Sequence, residues 1–222
     1  MSLKDQEFLY SVFRKEIKDR KIPLSLGKTC PVKCTFCYEM DHSYRKTFET
    51  PLTTQEHWEF IFKEIRSFPT RESESWILGG NEYMEWTDLA LHPKAMDWIE
   101  EFLEKTDKKI TMFSVGYFDP ARINRLAEKY PGRINFELSV ITLGSYREQL
   151  MPKGPSVKQV LAVLDGPAVT SANFYSFGPG SMSEDAKKIS DINKDCLLWM
   201  GCLTPLKYID ADTTKVMRQG KR

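Results

Sequence analysis

The stretch KITMFSVGYFDPARINRLAEKYPGRINFELSVI, residues 109–141, decides the fold. It opens on a short apolar run, Lys109–Val115, and closes on another, Ile134–Ile141. Between them Asp119 precedes Pro120, an N-cap followed by proline at the first helical position, where its missing N–H costs nothing. The pattern predicts a strand, a helix running to about Tyr130, and a second strand. A helix between two strands is the connection that a parallel pair requires.

The same unit recurs in both directions. Downstream, Ser156-Val157-Lys158-Gln159 has capping-box spacing and opens a helix to Leu164, followed by a strand over Val169–Phe177. Ser181-Met182-Ser183-Glu184 has the same spacing and starts a helix to about Asn193, and Cys196–Leu203 is a sixth strand. Upstream, Pro93 to Lys105 carries Met96, Ile99, Phe102 and Leu103 on one helical face. Glu74–Leu78 is a strand that runs into Gly79-Gly80, and Thr53-Thr54-Gln55-Glu56 is a capping box for a helix over about Thr54 to Ser67. Ile22–Gly27 is the first strand. Before it, Phe8, Leu9, Val12, Phe13 and Ile17 make an apolar stripe on a helix over about Lys4 to Lys18.

Alternating strands and helices imply an α/β protein with a parallel sheet. Most strand-to-strand intervals match a βαβ unit of roughly 30 residues. The first interval is longer by about twenty, and the excess sits after the first strand, at the C-terminal edge where α/β sheets place their ligands. Six units are too few for an eight-fold barrel. An open doubly wound sheet and a partial barrel both satisfy this pattern.

Composition narrows the class. The chain has 222 residues, 41% hydrophobic and 28% charged, which is ordinary globular usage and argues against disorder. No stretch approaches the roughly 20 apolar residues of a membrane span, and the charged N-terminal stretch has no apolar signal core. Lys+Arg number 32 against 31 Asp+Glu, so nothing points to nucleic acid or to an anionic membrane. The expected location is the cytoplasm. His42, His57 and His92 are too scattered for a site, and His57, inside a helix, is expected at the surface or half-buried.

Five cysteines in such a chain favour metal binding or chemistry over a disulfide framework. Cys30, Cys34 and Cys37 fall within CPVKCTFC, a C-x3-C-x2-C run. Three thiolates on one short loop can converge on one small inorganic group. A structural zinc site takes four protein ligands in paired groups, and no second pair is spaced for it. Iron–sulfur clusters are also held by thiolates, usually four. Three ligands leave one position open, as catalytic metal sites do. Cys196 and Cys202 lie far downstream and read as core packing.

CPVKCTFCYE resembles the signature of the radical S-adenosylmethionine enzymes, C-x3-C-x-aromatic-C, with Phe36 at the aromatic position. The resemblance covers about residues 20 to 203. It implies a partial (βα)6 TIM-like barrel over 21–204, preceded by an N-terminal helix (1–20) and followed by a C-terminal extension (205–222). That extension lacks a helix with a full apolar face, so the chain is expected to be either a piece of a longer enzyme or a minimal one closed by its substrate.

The resemblance also implies a chemistry. Cys30, Cys34 and Cys37 would hold a 4Fe–4S cluster, whose open iron would bind the amino and carboxylate groups of S-adenosylmethionine. One electron would cleave the sulfonium, giving methionine and a 5′-deoxyadenosyl radical that takes a hydrogen atom from the substrate, a small molecule or a protein. The electron would come from a donor such as a flavodoxin or ferredoxin. Phe36 would pack on the adenine. Gly79, Gly80, Asn81 and Glu82 stand where the family has a Gly-Gly-Glu-Pro-like stretch receiving the amino group; here Asn81 replaces the acid and Glu82 comes one position late. Glu137 and Ser139, two apart on one face of their strand, would meet the ribose, and Arg147 the methionine carboxylate. By strand position alone, Tyr83, Asn173 and Tyr175 are candidate substrate contacts. The alternative is a non-catalytic iron–sulfur or zinc-binding module that retains the fold.

Overall fold

The computed structural model describes residues 3–22, 32, 34, 53–69, 75–78, 88–175 and 181–201. Six strands form one sheet: β1 (Lys21–Ile22), β2 (Ser75–Leu78), β3 (Lys109–Ser114), β4 (Ile134–Ile141), β5 (Val169–Tyr175) and β6 (Leu197–Gly201). Every neighbouring pair is parallel and the spatial order is the chain order, β1-β2-β3-β4-β5-β6. A doubly wound sheet needs a point where that order reverses, and this sheet has none. Right-handed crossovers taken always in one direction put every connecting helix on the same face. β1 and β6 are not joined, so the sheet is open among the described residues.

Around it lie α1 (Leu3–Lys18), α2 (Gln55–Ser67), α3 (Ala95–Lys105), α4 (Pro120–Lys129), a four-residue α5 (Arg147–Leu150), α6 (Val157–Leu164) and α7 (Ser181–Ile192). Residues from the long helices and from one face of the strands make a single core that includes Phe13, Trp58, Trp76, Phe102, Met112, Phe136, Leu138 and Phe174. Each large apolar side chain so buried contributes roughly 1.5–3 kcal/mol. Trp58 stacks on Trp98 at 5.2 Å, and their indole N–H groups donate to Glu101 at 2.7 Å and Gln55 at 3.2 Å. Those contacts tie α2 to α3 with the buried polar atoms satisfied. None of the described helices is long and apolar enough to cross a membrane.

The opposite face is different. Along β4, Glu137 and Ser139 are half-buried while their neighbours Phe136, Leu138 and Val140 are fully buried. On the same side Phe113 is 39% exposed, Leu197 65% and Trp199 57%.

Several local expectations change in the structure. Phe8 is 49% exposed, so the apolar stripe of α1 narrows to Leu9, Phe13 and Ile17, with Val12 half-buried against the same core. The capping box before α2 is Thr54-x-x-His57, not Thr53-x-x-Glu56. Thr54 Oγ1 accepts from the His57 amide at 3.2 Å and His57 Nδ1 accepts from the Thr54 amide at 3.3 Å. A neutral imidazole nitrogen thus does the work of a carboxylate, and His57 is buried rather than at the surface. Ser156 caps α6 by accepting from the Gln159 amide, but the Gln159 side chain donates to the Phe118 carbonyl at 3.0 Å instead of closing the box. The first strand is seen at Lys21–Ile22; the rest of its expected span, Pro23–Gly27, lies outside the described residues, as does 205–222.

Candidate metal centre at the C-terminal edge of the sheet

Beyond the ends of β3 and β4 a second, smaller apolar cluster forms. Val32, Ile141, Leu150 and Met151 are its buried members, and Cys34, Leu91, Val115, Tyr117 and Tyr146 pack against it. The cysteine loop is therefore anchored at Val32 and Cys34 on the chain that leaves β4. Cys34 is half-buried and a thiol rather than half of a disulfide.

The chain leaving β4 is held in an unusual shape. The β4–β5 register slips between Ser139 and Ile141, and Ile141 has φ 65°. A β-branched residue in the left-handed region costs about 1–3 kcal/mol and persists only when its surroundings enforce it. Here they do. Arg147 Nη1 donates to the carbonyls of Val140 and Thr142, the latter at 3.0 Å, and so clamps both sides of Ile141. Arg147 Nε donates to the Pro155 carbonyl at 3.1 Å. From α7, Asp185 Oδ2 accepts from Thr142 Oγ1 at 2.7 Å and from the Leu143 amide at 3.1 Å.

Arg147, at the start of α5, is thus a buried clamp, 4% exposed. Its Nη2 has no hydrogen-bond partner among the described residues. Burial pulls its pKa down, and the facing groups that oppose this are Cys34 first, then Tyr117 and Asp185. A buried guanidinium with a spare donor beside a cysteine suits an anionic group at that cysteine. An iron–sulfur cluster would be such a group, and Arg147 and Cys34, both among the described residues, are compatible with one.

A second lock holds the neighbouring loop. Buried Asp88 accepts from Ser114 Oγ at 2.8 and 2.9 Å, from the Val115 amide at 2.5 Å and from the Ala90 amide at 2.9 Å. Burial raises its carboxyl, and these donors pull it back. Asp88 and Asp185 are not legible as site-shaping residues from the chain alone, because the partners they hold across the fold are 26 to 43 positions away.

On the half-open face, Ser139 lies opposite Asn173, and Asn173 reaches diagonally to donate to Glu137 Oε1. Glu137 and Ser139 do share one face, with Asn173 among them. Cys34 packs against Leu150, the last residue of the short helix that Arg147 opens, at this edge of the sheet. Cys30, Cys37, Phe36, Gly79, Gly80, Asn81, Glu82 and Tyr83 lie outside the described residues, and the Tyr175 side chain is likewise not described. Among the described residues no group of three or more His, Cys, Asp or Glu side chains is arranged to hold a metal ion. Cys196 sits in the main core, its thiol pushed up by burial to about 11; Cys202 lies outside the described residues.

No family model and no curated protein matches this chain.

Proposed function

We propose that the chain is a radical S-adenosylmethionine enzyme of the cytoplasm, built on a partial (βα)6 TIM-like barrel. The observation that carries the reading is Cys34, central in C-x3-C-x2-C, packed at the C-terminal edge of a sequentially ordered parallel sheet beside a buried arginine with a spare donor. Ligands of parallel α/β sheets gather at that edge.

Cys30, Cys34 and Cys37 would hold a 4Fe–4S cluster. When bound, it supplies the electron that cleaves S-adenosylmethionine to methionine and a 5′-deoxyadenosyl radical, which takes a hydrogen atom from the substrate. The chain's own residues bind, orient and shield. Glu137 and Ser139 would accept and donate to the ribose hydroxyls; Asn173 already holds Glu137 Oε1, which fixes the carboxylate and leaves Oε2 for a ligand. Gly79 and Gly80 would admit the ligand's amino end close to the backbone, with Asn81 or Glu82 as acceptor. Phe36 would cover the adenine. Phe113, Leu197 and Trp199 would give the substrate an apolar wall that displaces water from the half-open face. Arg147 has Nε and Nη1 already committed, so it can offer a carboxylate only one nitrogen and not a bidentate fork.

The test is product formation. Reconstituted protein reduced with dithionite and given S-adenosylmethionine releases 5′-deoxyadenosine, detected by chromatography, even without substrate. A reconstituted and reduced protein that releases none contradicts the proposal and favours a non-catalytic module.

A further inference from the structure

We propose that Arg147 is a positioning residue for the metal centre, its spare Nη2 donating a hydrogen bond to the Cys34 side of the bound cluster. The inference rests on the functional reading above and adds a role to it.

The geometry argues by elimination within one side chain. Nε and Nη1 make three hydrogen bonds to the carbonyls of Pro155, Val140 and Thr142, which fix the guanidinium plane. Nη2 is left with two hydrogens and no acceptor among the described residues, in a side chain 4% exposed. A buried, unpaired donor on a permanent cation is costly unless something anionic meets it. Asp185 spends Oδ2 on Thr142 and Leu143, and the Tyr117 hydroxyl donates to the Lys153 carbonyl. Cys34 packs against the same small cluster as Ile141 and Leu150, which flank Arg147 in the chain. A hydrogen bond from a fixed cation to a cluster sulfur stabilises the more negative, reduced state and raises the reduction potential.

The test uses protein carrying 15N-labelled arginine, reconstituted with iron and sulfide, reduced with dithionite and kept free of S-adenosylmethionine. Pulsed EPR of the reduced cluster should show 15N coupling, absent from unlabelled protein and lost in Arg147→Lys. The potential of Arg147→Lys should fall enough to make reduction at least tenfold less favourable, which is about 59 mV for a one-electron couple. Arg45 is the one arginine in 23–52, the stretch that carries the cysteines. Arg71, Arg218 and Arg222 also lie outside the described residues, so coupling must survive Arg45→Lys, Arg71→Lys, Arg218→Lys and Arg222→Lys, a set that still decides if Arg147→Lys fails to fold. A cluster with no 15N coupling overturns the inference and leaves the functional reading standing. So does coupling lost in any of those four variants, or coupling that arises only after S-adenosylmethionine is added, which would assign Nη2 to the ligand's carboxylate. Failure to form any cluster overturns both.

Discussion

Asn173 donates its side-chain amide to the Glu137 carboxylate across the β4–β5 ladder, on the side of the sheet away from the main core. Both side chains are half-buried, so the pair fixes an acceptor where a ligand can reach it. Glu137→Ala should weaken S-adenosylmethionine binding about tenfold or more, the scale of a hydrogen bond to a charged group, while changing stability by less than about 1 kcal/mol. Calorimetric titration and urea unfolding check the two halves. Unchanged affinity would remove Glu137 from the site.

Trp199 is 57% exposed on β6 and belongs to no core cluster. Trp199→Ala should therefore keep the melting midpoint within a few degrees and reduce substrate-dependent turnover more than uncoupled 5′-deoxyadenosine release. A large loss of stability would show that the residue packs on something structural instead.

Cys34 and Cys196 should respond in opposite ways. Cys34→Ala should abolish iron assembly with the fold intact by circular dichroism. Cys196→Ala should retain iron and lose about 1 kcal/mol of stability, the cost of trimming a small buried side chain. Because burial lifts the Cys196 thiol to about 11, iodoacetamide at pH 8 should leave it unmodified in folded protein. Mass spectrometry of the digested protein reads this directly.

Acid should weaken the fold through two histidines. His57 Nδ1 accepts from the Thr54 amide, and His92 Nδ1 accepts from the Lys94 amide at 3.1 Å, so both rings must be unprotonated there. Burial lowers both pKa values in the folded state. The unfolded chain then binds protons first as pH falls below about 6.5. Their contribution is complete above that pH and is lost on acidification towards the lower folded values. Urea midpoints should drop between pH 7.5 and 5.5, and His57→Gln should flatten the dependence. A midpoint that rises on acidification would contradict the assignment.

Asp88→Asn should cost about 1–3 kcal/mol, because an amide in place of one carboxylate oxygen leaves a buried donor, such as the Val115 N–H, unpaired. Thermal unfolding of the variant measures this, and a neutral effect would mean that the turn after β3 is held elsewhere.

What was readable in the chain followed from local rules. Ile134–Ile141 is the strand its alternation implies, and Asp119-Pro120 caps α4 as its chemistry requires, with Asp119 accepting from the Ala121 amide at 3.1 Å. Sequence left a doubly wound sheet and a partial barrel both open, because strand order is set by packing between units and not within them. His57 misled because its capping role depends on which ring nitrogen faces the backbone, and residue type does not show that. The buried position of Arg147 is not legible in the chain for a related reason. Its burial follows from the left-handed turn at Ile141, and nothing about an isoleucine predicts a positive φ. The cysteine spacing is legible because a run of residues on one loop is itself local, whereas Asp88 and Asp185 reach partners over distances that no motif records.

The proposed function requires that Cys30, Cys34 and Cys37 hold iron and sulfide. The most direct measurement is the metal content and visible spectrum of the full chain after anaerobic reconstitution with iron and sulfide. The account predicts about four iron and four sulfide per chain with a broad thiolate-to-iron absorbance, the number that a cubane cluster requires. A colourless protein that binds a single zinc ion would contradict it.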